Sequence, residues 1–121
     1  MKVKIDTKEK MQVITIEEKQ LAANMTGELR SSLTFFLTQP IKNIVVNFED
    51  VDEIDKIVAD MLVDVQQNFY DSQNSMVFCN LHPDVEKFLE ENDFLELMNV
   101  TPTESEAWDI VQMEEIEREF F

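Results

Sequence analysis

The amino-acid sequence predicts one α/β domain over residues 1–121, with a mixed four- to five-stranded sheet and about four helices packed mainly on one face. Three observations point there. Short β-branched or apolar runs alternate with longer stretches whose apolar residues recur every three or four positions, the pattern of strands joined by helices that pack on a sheet. The runs at 44–46 and 76–79 are apolar without interruption, which suits interior strands covered on both faces. No linker, repeat or low-complexity stretch divides the 121 residues, and that length suits one core.

The elements follow in order. Val3 and Ile5 face one way, and Val13, Ile14, Thr15 and Ile16 form a β-branched run. The polar residues 7–10 between them read as a turn, giving an N-terminal hairpin. A helix of about three turns comes next, because Leu29, Leu33, Phe36 and Leu37 recur at the spacing of 3.6 residues per turn. Asn24 or Thr26 can cap it, and Pro40 ends it, since the residue before a proline is pushed out of the helical region. Residues 41–48 make the next strand, and a turn over 49–54 leads to Asp55, which can cap a second helix. Ile57, Met61, Val65 and Phe69 lie on one stripe of that helix with Val58 and Leu62 beside it, the clearest amphipathic pattern in the chain.

A polar break at 71–74 precedes the strand at 76–79. His82, Pro83 and Asp84 open a third helix, with proline in the first turn where its missing N–H costs little. Val85, Phe88 and Leu89 form its buried face, and Phe94, Leu95, Leu97 and Met98 continue the core. Val100 marks a last short strand. Thr103 or Ser105 caps a terminal helix, an extension over about 103–121 that runs through Trp108, Ile110, Val111 and Met113.

Charge narrows the function. Ten Lys and Arg stand against 26 Asp and Glu, a formal net charge of -16. A nucleic-acid backbone needs clustered cations, and an anionic membrane surface repels such a chain, so neither is expected as a partner. A protein with a basic surface is favoured, because complementary fields speed encounter. The 44% of hydrophobic residues can fill a core, which argues against disorder. Cys79 is the single cysteine, so no internal disulfide is possible. No apolar run reaches signal-peptide or membrane-spanning length, and a cytoplasmic protein is expected.

The order of elements and specific residues resemble the STAS (anti-sigma-factor antagonist) family. Its pattern of apolar strand, short acidic turn ending in Asp, then helix is matched by residues 44–48, 49–54 and Asp55, with Met61 and Leu62 further along the helix. The stretch 77–85 (VFCNLHPDV) resembles the family's strand and Leu-x-Pro-x-Val entry into the next helix. Residues 94–97 match its Phe/Leu-rich segment, and 103–107 (TESEA) its Thr-x-x-Glu-Ala helix start. The resemblance covers nearly the whole chain and implies a regulatory module whose partner is an anti-sigma factor or kinase-like regulator protein. In regulated members the serine after the capping aspartate is phosphorylated, adding charge that disrupts binding. Lys56 occupies that lost phosphosite position, so the switch is expected to be absent. Ile57 and Val58 replace the next serine and glycine, Asn47 replaces the aspartate closing the preceding strand, and Ala22 replaces the one near the first helix.

Chemistry is otherwise sparse. With Gly27 as the sole glycine, no phosphate cradle can form, and no cofactor is expected. Asp50, Asp52, Glu53 and Asp55 could hold a hard cation, but the loop lacks the glycine of an EF-hand, and a solvated acidic loop that doubles as a helix cap is the plainer reading. His82 with Glu86 at helical spacing makes a poor zinc site, and a helix-start histidine is favoured. Cys79 reads as a buried apolar residue. No Ser/His or Cys/His pairing is evident, so the chain is read as no enzyme, with no catalytic or metal site. Ile116, Phe120 and Phe121 sit among acids at 114–121 and either cover the end of the core or form a docking or self-association surface.

The expected function is protein binding through Asp52, Glu53, Asp55, Lys56, Ile57 and Asp60, at the acidic turn and first turn of the second helix. An alternative is a degenerate STAS scaffold that forms a homo-oligomer or joins other STAS domains. A third is an ion-binding protein or small enzyme using the acidic loop.

Overall fold

Hydrogen bonding and burial in this computed structural model, which describes residues 1–120, follow the alternation of the strands. β1 (Val3–Thr7) and β2 (Gln12–Ile16) form the antiparallel hairpin, closed by the Lys8 N–H donating to the Met11 carbonyl at 2.9 Å. β4 (Ile44–Asn47), β6 (Met76–Cys79) and β7 (Val100–Thr101) extend it in parallel, in the order β1-β2-β4-β6-β7. The strands β3 (Gln20–Leu21) and β5 (Glu53–Ile54) pair in parallel as a separate two-stranded ribbon.

Side chains alternate across the sheet because the strand period is two. Ile14, Val46 and Phe78 sit side by side in register, and their face packs on α1 (Thr26–Thr34), α2 (Lys56–Asp71) and α3 (Pro83–Glu91). Val13, Val45 and Val77 form the neighbouring row and point the other way, against Ala107 and Val111 of α4 (Glu104–Phe120). Three helices therefore cover one face and the terminal helix covers the other. Phe48 and Phe78 meet edge to face, with centroids 5.8 Å apart and planes at 83°, a favourable aromatic geometry.

The caps explain where the helices begin. Asp55 has extended backbone and its carboxylate accepts from the Ile57 N–H at 3.3 Å. His82 caps α3, with Nδ1 accepting from the Asp84 N–H at 3.1 Å, so it is a helix-start residue. Thr103 serves α4, its hydroxyl accepting from the Glu106 N–H at 3.2 Å. The first helix departs from expectation. Neither Asn24 nor Thr26 caps it: Thr26 is already helical, and its hydroxyl donates back to the Ala23 carbonyl at 2.7 Å. Residues 23–25 and 35–38 tighten into 3₁₀ turns at its two ends, where Thr34 and Thr38 hydroxyls also donate back to carbonyls.

A polar clamp seats the second half of α4 beside the N-terminal ends of β4 and β6. Asn43 Nδ2 donates to Glu115 at 2.6 Å and to the Lys10 carbonyl at 3.1 Å, while its Oδ1 accepts from the Ser75 N–H at 2.8 Å. The Ser75 hydroxyl donates to Glu114 at 2.6 Å and accepts from Arg118 at 3.1 Å. Asn43 and Ser75 are buried, and these bonds satisfy groups that would otherwise cost about 1–3 kcal/mol each.

Cys79 is fully enclosed on the α4 side of β6. Burial pushes its thiol up to about 12, assisted by the charges of Glu104 and Glu49, so it stays protonated at neutral pH. Iodoacetamide at pH 8 is therefore expected to leave folded protein unmodified and to alkylate Cys79 only in denaturant, as mass spectrometry would read. Phe78→Ala is expected to cost about 3–5 kcal/mol, measured by urea denaturation, because it empties the centre of the larger core.

Candidate functional site

The site is built from the chain between β4 and α2, where buried and exposed residues alternate in short steps. Val51 and Ile54 point inward as anchors, and Asp52, Glu53, Asp55, Lys56 and Ile57 point outward before Val58 and Ala59 turn in again. The sequence reading placed residues 49–54 in a plain turn. Instead, Glu53 and Ile54 pair with Gln20 and Leu21 as the β3–β5 ribbon. The Lys19 carbonyl accepts from the N–H groups of Asp52 at 2.7 Å and Glu53 at 3.1 Å, and the Leu21 carbonyl accepts from the Asp55 N–H at 2.9 Å. These bonds hold the acidic turn against the segment that leads into the first helix, and they bring Ala22 beside Asp55.

Asn47 closes the other side. Its Oδ1 accepts from the Glu49 N–H at 2.9 Å and from Asn80 Nδ2 at 3.3 Å, tying the C-terminal ends of β4 and β6 together. Asn80 sits at positive φ (57°), a left-handed conformation that asparagine tolerates better than most residues. Arg30 of α1 bridges to Asp64 of α2 at 2.8 Å and braces the helix pair from outside.

All six residues expected to bind a partner, Asp52, Glu53, Asp55, Lys56, Ile57 and Asp60, are exposed and share this end of the fold. Ile57 needs a correction as a packing residue. It is 59% exposed and stands outside the buried face of α2, which consists of Val58, Ala59, Met61, Leu62, Val65 and Phe69. Met61, Val65 and Phe69 of the expected stripe are buried with Val58 and Leu62, and Ile57 alone of that stripe lies outside, because steps of four residues overshoot the 3.6-residue turn and drift around the helix. Leu97 is likewise 56% exposed, where the spacing placed it in the core.

The fold adds neighbours that the sequence did not group with the site. A groove of about 520 Å³ runs between the ribbon and α3, lined by Asp52, Glu53, Ile54, His82, Asp84 and Phe88. No periodicity in the sequence connects residues some thirty positions apart, so His82 and Phe88 carried no signal of this role. Among the described residues, no group of three His, Cys, Asp or Glu side chains is placed to hold a metal ion. No helix among them is long and apolar enough to cross a membrane.

The arrangement is an acidic rim with one aliphatic tip, Ile57, and a cation beside it, Lys56. Lys56 is the only Lys or Arg between Lys42 and Lys87. It sits at the first position of α2, where the helix dipole favours negative charge, so helix stability does not account for it.

Comparison with known proteins agrees with this architecture. A putative anti-sigma factor antagonist from Thermotoga maritima is similar in structure, with a TM-score of 0.76 at 17% identity, covering 91% of this chain and 94% of that one. The anti-sigma factor antagonist SpoIIAA in its unphosphorylated form superimposes with a TM-score of 0.71 at 18% identity, covering 92% and 96%. The phosphorylated form of the Bacillus cell fate determinant SpoIIAA gives 0.64 at 17% identity, covering 91% and 99%. Among curated protein sequences, none matches this chain. The family model of the STAS domain matches residues 2–107, the whole sheet and the helices that frame the acidic rim, and the chain belongs to the STAS domain family.

Proposed function

We propose that this protein is a regulatory binding module that docks a protein partner on the rim formed by Asp52, Glu53, Asp55, Lys56, Ile57 and Asp60. The observation that carries the reading is Ile57: a large aliphatic side chain held 59% exposed in the first turn of a capped helix, ringed by charges. A lone apolar tip surrounded by polar groups is the anatomy of an interface centre with a hydrated rim. The acidic ring favours a partner with a basic face and speeds its approach. The structural neighbours are named as anti-sigma factor antagonists, which supports an anti-sigma factor as that partner.

Lys56 makes this module indifferent to phosphorylation at its own position, because an amine offers no hydroxyl to a kinase. It also supplies a cation in the first turn of α2, suited to an acidic group on the partner. The acidic turn serves as an electrostatic rim, and Asp55 also caps the helix.

Two outcomes test the reading. Ile57→Asp is expected to weaken capture of the regulator from native cells at least about tenfold, the loss of roughly 1.4 kcal/mol that a central contact carries. Its melting temperature should stay unchanged, since an exposed acid near a helix N-terminus is tolerated. Mixed with that regulator and ATP, the wild-type complex should persist, whereas Lys56→Ser should restore an ATP-dependent release detectable as phosphate on residue 56. Equal capture by wild type and Ile57→Asp, or recovery only of further copies of this chain or other STAS domains, would replace this reading with the scaffold one.

A further inference from the structure

A second surface lies on α4, away from the rim. Ala107 and Val111 define the side of the helix that meets the sheet, and the Glu114 and Arg118 contacts to Ser75 keep the same side inward down to its last turn. Met113, Ile116 and Phe120, at spacings of three and four residues, fall on the opposite side. They are 53%, 56% and 75% exposed. Among the described residues nothing covers them, so the tail does not close the end of the core; Phe121, assigned to the same tail by the sequence, lies outside the described residues.

The stripe has the spacing of a helix-pairing seam, one in which apolar residues repeat at alternating intervals of three and four. Its flanks choose the occupant. Glu117 borders one side and Glu119 the other, at the positions that face a partner helix's own flanks and set partner choice. A second copy would bring Glu117 and Glu119 against the same acids, with a net charge of -16 on each chain. The next seam positions upstream are Glu106 and Asp109, so the apolar stripe begins at Met113. The same acids repel an anionic membrane.

We infer that the outward face of α4 is a second interaction surface, which takes an amphipathic α-helix of another protein with aliphatic seam residues flanked by Lys or Arg. The clamp at Asn43 and Ser75 places this surface beside the N-terminal ends of β4 and β6, whereas the rim lies beyond their C-terminal ends. Both surfaces can therefore be occupied at once.

The test uses a fluorescently labelled two-heptad peptide with Leu at the seam positions and Lys at the flanks, and a matched peptide with Glu at the flanks. Anisotropy titrations with the full chain are expected to show binding of the Lys peptide and not of the Glu peptide. Ile116→Glu, an exposed change whose thermal melt should match wild type, is expected to weaken binding at least about tenfold. Lys56→Glu is expected to bind the peptide as wild type does, which separates this surface from the rim. Equal binding of the Lys peptide by wild type and Ile116→Glu would reduce the effect to general charge attraction and overturn the inference. Failure of the Lys peptide to bind would also overturn it. So would a concentration-dependent dimer in sedimentation that Ile116→Glu abolishes, since the occupant would then be a second copy.

Discussion

Two strands buried on both faces constrain everything else in this molecule. Every residue of Ile44–Asn47 and Met76–Cys79 is shielded from solvent, which a sheet can achieve only with a layer on each side. Ile44, Val46, Met76 and Phe78 are met by α1, α2 and α3. Val45, Val77 and Cys79 would face water without α4, so the terminal helix belongs to the core through Ala107 and Val111 even though its outer half is exposed.

The ends of these strands carry polar side chains instead of apolar ones, because backbone groups that leave the ladder still need partners. At the C-terminal ends, Asn47 accepts from Glu49 and Asn80 and shapes the start of the acidic turn. At the N-terminal ends, Asn43 and Ser75 hold Glu114, Glu115 and Arg118. One set of hydrogen bonds organises the rim and the other fixes the rotation of α4, so the fold presents two different surfaces at its two poles.

Both surfaces share a physical character: a small exposed aliphatic centre in an acidic field. At the rim the centre is Ile57, held out by the cap at Asp55 and by the ribbon. On α4 it is the Met113, Ile116 and Phe120 stripe. As proposed docking surfaces, both would draw affinity from apolar contact and partner choice from the surrounding acids.

The sequence by itself determined the elements whose causes are local. Uninterrupted apolar runs marked β4 and β6, Asp55 announced α2, and His82 with Pro83 announced α3, since β-branching, caps and proline act within a few residues. The outward position of Asp52, Glu53, Asp55, Lys56 and Asp60 was legible from their charge. Only the tertiary structure decided the rest. The β3–β5 ribbon pairs two-residue strands more than thirty positions apart, too short for any periodicity to register. That ribbon holds the acidic turn ahead of α2, and burial of Val58, Ala59 and Met61 leaves Ile57, an apparent core residue, as an exposed tip. The clamp between α4 and the strand ends likewise turned Met113 and Ile116 outward. Spacing along one helix states which residues share a face, but which face meets the core depends on contacts made elsewhere in the chain.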